Sequence, residues 1–213
     1  MKRILFFGDS ITDMGRNRAL QGENPFAFGQ GYVFLSSAEL LSKFPNEYEI
    51  INKGISGDRC VDLYSRIKVD CWNLKPDIIS VLIGVNDIWH ELESGNGVEL
   101  DRFENIMRTL LKETIERLPQ TKIILIEPFF LPGKAVDALG YEAFSDVLKY
   151  AAVIEKLSKE FNLPLVKVQE KFNDLAAKYG AENYLYDGVH PNVAGAKVIA
   201  DEWLKVFYDK IMA

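Results

Sequence analysis

Cysteine and histidine are scarce in this sequence, with two of each among 213 residues. Cys60 and Cys71 have no CxxC or metal-type spacing, so no metal site is expected, and both read as ordinary buried or half-buried thiols of a reduced compartment. Long hydrophobic runs are also missing. The longest, around Ile123 to Ile126, has the length of a strand, far short of the ~20 residues that a membrane-spanning helix requires. A soluble protein with no membrane partner is expected. Met1-Lys2-Arg3 is a positive start, but the apolar run from Ile4 to Phe7 ends at Gly8-Asp9, too soon for an export signal. The expected location is therefore cytoplasmic. Clusters of Lys and Arg are absent too, and the formal net charge is −6, which leaves no basic face for phosphates and argues against nucleic acid as a partner.

What is present is enough apolar material, 48% of the residues, to bury a substantial core. No internal repeat, linker or low-complexity segment interrupts it, so one domain over 1–213 is expected. Strand-like runs occur at Arg3–Phe7, Glu49–Asn52, Asp77–Ile83, Lys122–Glu127 and Leu163–Val168. Helical periodicity covers Val33–Phe44, Asp62–Asn73, Asp101–Leu118, Tyr141–Asn162, Gln169–Tyr179 and the stretch from Asn192 onward. This alternation predicts an α/β fold, a parallel sheet with helices on both faces. Ligands of such sheets bind beyond the carboxyl ends of the strands.

Chemically suggestive residues fall in those places. Gly8-Asp9-Ser10-Ile11 follows the first strand, and the Ser10 hydroxyl would need a neighbouring base to become a nucleophile. Of the two histidines, His190 stands in Asp187-Gly188-Val189-His190-Pro191, where the three-residue spacing lets a carboxylate sit beside the imidazole in one turn. Donors for an oxyanion are offered by the Ser10 backbone, by Gly57 after the second strand and by the Asn86 side chain in Gly84-Val85-Asn86-Asp87 after the third. Each motif alone has a bland reading. Gly-Asp-Ser and Gly-x-Asn-Asp are common turns, and Asp-x-x-His is often a local cap. Their joint occurrence, in order and each beside a strand end or the last helix, points to acyl transfer.

These four blocks resemble those of the SGNH (GDSL) hydrolases, and they stand in that family's order along nearly the whole chain. Ile11 is the one departure, where the family name has Leu. The resemblance implies a three-layer α/β/α flavodoxin-like fold with a five-stranded parallel sheet of order 2-1-3-4-5 and no metal or other cofactor. It also implies Ser10, His190 and Asp187 as nucleophile, base and orienter, with Ser10, Gly57 and Asn86 as the oxyanion hole.

A narrower resemblance joins Asp13-Met14-Gly15-Arg16, Gly31-Tyr32-Val33, Asn52 to Gly57, Asn86-Asp87-Ile88-Trp89 and Pro128-Phe129 to bacterial intracellular acetylxylan esterases. It implies acetylated xylo-oligosaccharides as substrate and a homo-oligomer. Asp9, Arg16, Tyr32, Trp89 and Phe129 are the expected substrate-binding residues, with Trp89 to stack on a sugar and Tyr32, Phe129 and Phe130 to border a small acyl pocket. The competing expectations are a short-chain lipase, lysophospholipase or thioesterase of the same fold, and a non-catalytic carbohydrate-binding module. His90 reads as a solvated surface residue, Trp203 as core, and Glu91 to Glu104 as a solvated loop and helix start.

Overall fold

The computed structural model describes residues 1–20, 22 and 24–212. The five apolar runs become β1 (Lys2–Gly8), β2 (Tyr48–Gly54), β3 (Ile78–Leu82), β4 (Lys122–Ile126) and β5 (Leu165–Val166), all paired in parallel in the order β2-β1-β3-β4-β5. The order is the expected one. Sequence also predicts position in the sheet. Every residue of β3 is buried, as a central strand covered on both faces requires, whereas β2 alternates buried and half-buried residues at the sheet edge.

Helices cover both faces. On one side α2 (Tyr32–Lys43) packs against α10 (Val193–Val206), and on the other α3 (Cys60–Asp70), α5 (Leu100–Arg117) and α8 (Val147–Glu160) lie side by side. Trp203 of α10 occupies the core between Phe6 and Phe207, with ring centroids 4.9 and 5.0 Å away, and its indole N–H donates to Ser80 Oγ at 2.9 Å. That bond satisfies the one polar atom the ring brings inside. Cys60 and Cys71 are both buried free thiols.

Three expectations change. The fifth strand was expected over Leu163–Val168, yet only two residues pair. Pro164 has no N–H to give, and the Glu127 carboxylate takes the backbone N–H of Val168 and Gln169 at 2.7 and 2.8 Å, drawing the chain off the ladder into α9 (Gln169–Tyr179). The Tyr141–Asn162 helix is divided into α7 (Tyr141–Phe144) and α8, and a short α6 (Lys134–Leu139) precedes it. Finally, Gly84 to Asp87 is no simple turn. Gly84, at φ +130°, is the N-cap of α4 (Val85–Ser94), so much of the expected loop after Asp87 is helical.

Candidate active site

Ser10, Gly57 and Asn86 follow the carboxyl ends of β1, β2 and β3, and Asp187 and His190 lie in the turn before α10. β1 ends at Gly8, and the chain turns at once into a four-residue helix, α1 (Ser10–Asp13), whose N-cap is Asp9. Asp9 Oδ1 accepts the Ile11 N–H at 2.9 Å, which fixes the turn that carries Ser10. The turn is crowded: a Cβ on Gly54, at the end of β2, would stand 2.3 Å from the Asp13 nitrogen.

At the other end of the chain, Ser10 Oγ lies 2.9 Å from His190 Nε2, and His190 Nδ1 lies 2.7 Å from Asp187 Oδ2. Asp187 Oδ1 accepts the backbone N–H of Val189 and His190 at 2.9 and 2.8 Å. One carboxylate therefore shapes the turn and holds the ring. With Nδ1–H directed at Asp187, the neutral imidazole keeps its Nε2 lone pair for the serine proton. Burial alone would raise the Asp187 carboxyl, but the hydrogen bonds from the His190 ring and from the two backbone N–H groups outweigh it and hold the group below its ordinary value. Burial alone would lower His190, yet its bond to Asp187 and the charges of Asp187 and Asp9 win, and the imidazole is held above its ordinary value.

The two other oxyanion candidates are tied to each other. The loop after β2 turns through Gly57 at φ +87°, a backbone conformation that favours glycine. Asn86, in the first turn of α4, donates from Nδ2 to the Asp58 carbonyl at 3.0 Å. Its neighbour Asp87 accepts the Cys60 N–H at 3.1 Å. Two successive side chains of α4 thus clamp the loop that carries Gly57.

Four of the five expected substrate contacts are placed elsewhere. Tyr32 is wholly buried; its ring meets Phe6 edge-on and its hydroxyl lies 3.1 Å from Thr12 Oγ1. Phe129 is wholly buried against Phe172, and Phe130 is buried beside it in sequence. These apolar residues follow or face strand ends, and the hydrophobic gain of joining the core draws them inward rather than to the mouth of a site. Asp9 is buried with its carboxylate used as a cap. Arg16 is half-buried, gives Nε–H to the Gly54 carbonyl at 2.9 Å, and lines a cavity of about 410 Å³ along β2 with Arg18, Asn52 and Lys53, apart from Ser10 and His190. Trp89 is half-buried, with its ring 5.8 Å from the His190 ring.

Tyr186 and Arg66 were not singled out in the sequence, and His90, expected on the solvated surface, is half-buried. His90 is not on a loop but on α4, four residues after Asn86 and on the same face, and its Nε2 lies 4.0 Å from where a Cβ on Gly57 would stand. Tyr186 lies nearly parallel to the His190 ring, 5.8 Å away. Arg66 of α3 reaches three acceptors: Asp58 Oδ2 at 2.7 Å, Asp70 Oδ2 at 3.2 Å and the Gly8 carbonyl at 3.2 Å. Tyr186 carried a local signal, standing next to Asp187, as did His90 beside Trp89; Arg66 meets the site through long-range packing.

Comparison with known proteins completes the picture. Residues 6–198 match the GDSL-like Lipase/Acylhydrolase family. The chain belongs to that family. It is 35% identical over 211 residues to an acetylxylan esterase of Geobacillus stearothermophilus, an alignment spanning 96% of this chain and 93% of that protein. A crystal structure of the G. stearothermophilus enzyme superposes with a TM-score of 0.84 at 33% identity, covering 96% of this chain and 93% of the other. A structure described as a GDSL-like lipase, from Parabacteroides merdae, gives a TM-score of 0.91 at 39% identity and covers 98% and 96%. This family member is a carboxylic ester hydrolase, in a three-layer fold shared with other GDSL hydrolases. Among the described residues no helix is long and apolar enough to cross a membrane.

Proposed function

We propose that this esterase removes small acyl groups, acetyl above all, from carbohydrates such as acetylated xylo-oligosaccharides, using Ser10, His190 and Asp187 and passing through an acyl-enzyme. The observation that carries the reading is the unbroken chain of contacts from Ser10 Oγ to His190 Nε2 at 2.9 Å and from His190 Nδ1 to Asp187 Oδ2 at 2.7 Å. A binding module would have no use for such a chain. The substrate class is supported by the likeness to an acetylxylan esterase and by the indole of Trp89 beside the base.

In this mechanism Ser10 Oγ bonds to the acyl carbon while its proton passes to His190 Nε2, and the carbonyl electron pair moves onto oxygen. The backbone N–H groups of Ser10 and Gly57 and the Asn86 amide receive that oxyanion, aided by the amino end of α4. Collapse breaks the ester C–O bond, and the departing alcohol takes the proton from Nε2. Water, losing its proton to the same nitrogen, then attacks the acyl-Ser10 ester; the acid leaves and Ser10 recovers its hydrogen. Asp187 stays ionised throughout, in keeping with its lowered pKa.

The likeness to a GDSL-like lipase favours, as a second reading, the same chemistry on short-chain lipid esters. Two measurements decide. A fluorophosphonate probe should label Ser10 and should fail to label a Ser10→Ala variant that still folds. An acetate-release screen over acetylated xylo-oligosaccharides, acetylated monosaccharides and p-nitrophenyl esters of graded length should favour the acetyl sugars, whereas activity climbing with acyl length would select the lipid reading.

A further inference from the structure

The departing alcohol must lie against His190 when it is expelled, because its oxygen takes the proton held on Nε2. Side chains that flank the imidazole on its Nε2 side are therefore neighbours of the alcohol half of the ester rather than of the acyl half. Two aromatic rings flank it. Trp89 approaches at 5.8 Å and 59°, and Tyr186 lies almost parallel at 5.8 Å and 19°. Trp89 is buttressed by the wholly buried ring of Phe144, 5.8 Å away and edge-on, which in turn contacts Phe130 at 5.7 Å. Tyr186 is anchored through its backbone, whose N–H donates to the His190 carbonyl at 3.0 Å. The residue is nonetheless 53% exposed, so an aromatic side chain is offered to solvent immediately beside the proton donor.

We infer that Tyr186 is a specificity-determining residue, which with Trp89 forms an aromatic bracket around His190 for the ring of a cyclic alcohol leaving group, a pyranose above all. The apolar C–H face of a pyranose gains from an aromatic platform, and a rigid platform beside the base also places the leaving oxygen for protonation. A short alkyl alcohol has no such face and gains little. The inference deepens the sugar reading and rests on it for the identity of the ring, though not for the bracket itself.

The test is the ratio of kcat/KM for tetra-O-acetyl-xylopyranose to that for ethyl acetate in the wild type, Tyr186→Ala and Tyr186→Phe. Tyr186→Ala should lower this ratio about three- to tenfold, the size of one aromatic contact, and Tyr186→Phe should restore it. The acid limb of the pH profile should keep its wild-type midpoint. Equal losses on both substrates, or a displaced acid limb, would show that Tyr186 only positions His190 and would overturn the inference, as would an unaltered ratio. If the wild type ignores acetylated sugars, the sugar reading fails; cyclohexyl acetate against ethyl acetate then tests the bracket in the same variants, with the same outcomes deciding.

Discussion

The side-chain amide of Asn86 gives one hydrogen to the main-chain carbonyl of Asp58 at 3.0 Å. An amide nitrogen carries two, so the second remains for a ligand, and its direction is fixed by the first. That is the arrangement an oxyanion donor needs, since its worth depends on being aimed before charge develops. Asn86→Ala should therefore lower kcat by about 10²- to 10³-fold with little change in KM. Steady-state kinetics on an acetyl ester, with a melting curve to establish folding, checks it. A rise in KM at constant kcat would mean that Asn86 binds the ground state instead.

The contact between His190 and Asp187 sets a pH dependence. His190 must be neutral to accept the serine proton, and its imidazole is held above the ordinary 6.5. Activity should thus be full at higher pH and fall away as pH drops through a midpoint above that value. Asp187→Asn removes the strongest of the groups that raise it and leaves Asp9, so the midpoint should move down while kcat falls by about 10⁴-fold, the scale of losing the orienting carboxylate in a serine triad. The pH profile of kcat/KM for both proteins measures this. An Asp187→Asn variant with an unshifted acid limb would separate the limb from His190.

The sheet and the Ser10, His190 and Asp187 constellation could be read from the sequence because their signals are local. Ile78–Leu82 is apolar at every position but Ser80, and Asp187 and His190 share one turn. The surroundings of the site were less legible for the opposite reason. Val85 to Ser94 follows Gly84 and has an Asn-Asp pair in its first turn, residues that favour turns, and its helical state is secured by tertiary contacts such as Asp87 with Cys60. Tyr32 opens α2 and Phe129 sits in the loop after β4, and a position along the chain does not say whether an aromatic there turns toward solvent or under the sheet. Arg66 meets the Gly8 carbonyl across 58 positions, beyond any window of periodicity.

Asp9 carries a cost that should be visible in stability. Burial pushes its carboxyl from 3.8 up to about 7, against the opposing bond from the Ile11 N–H and the attraction of His190, and Oδ2 has no hydrogen-bond partner among the described residues. Above 3.8 the unfolded chain gives up a proton that the folded chain keeps until about 7, so this group makes stability decline as pH rises across that window and leaves it level beyond. Asn caps a helix as well as Asp does and does not ionise. Asp9→Asn should consequently gain on the wild type between about pH 5 and about pH 8, by at most about 3 kcal/mol. Urea unfolding at the two pH values measures the gain. A difference between the two proteins that stays constant with pH would place the ionisation elsewhere.

Arg66 joins the two segments that bear backbone oxyanion candidates. Its guanidinium holds Asp58, adjacent to Gly57, and the carbonyl of Gly8, two residues before Ser10; it also lies 4.4 Å from the centroid of the Phe7 ring. The pair with Asp58 is largely out of water, with 14% and 11% of the two side chains exposed, so screening discounts it little. A planar fork can serve several acceptors and a ring face together, which a lysine ammonium cannot. Arg66→Lys should therefore keep the charge yet loosen the spacing between the Ser10 turn and the Gly57 loop. The expected result is a kcat about tenfold lower at nearly constant KM, because misplaced donors are felt mainly when the oxyanion forms. Stability should fall by about 1–3 kcal/mol for the lost charged hydrogen bonds. Kinetics combined with urea unfolding separates the two effects. A variant that loses stability but keeps its kcat would make Arg66 a scaffold residue only, and the two segments would then hold their spacing without it.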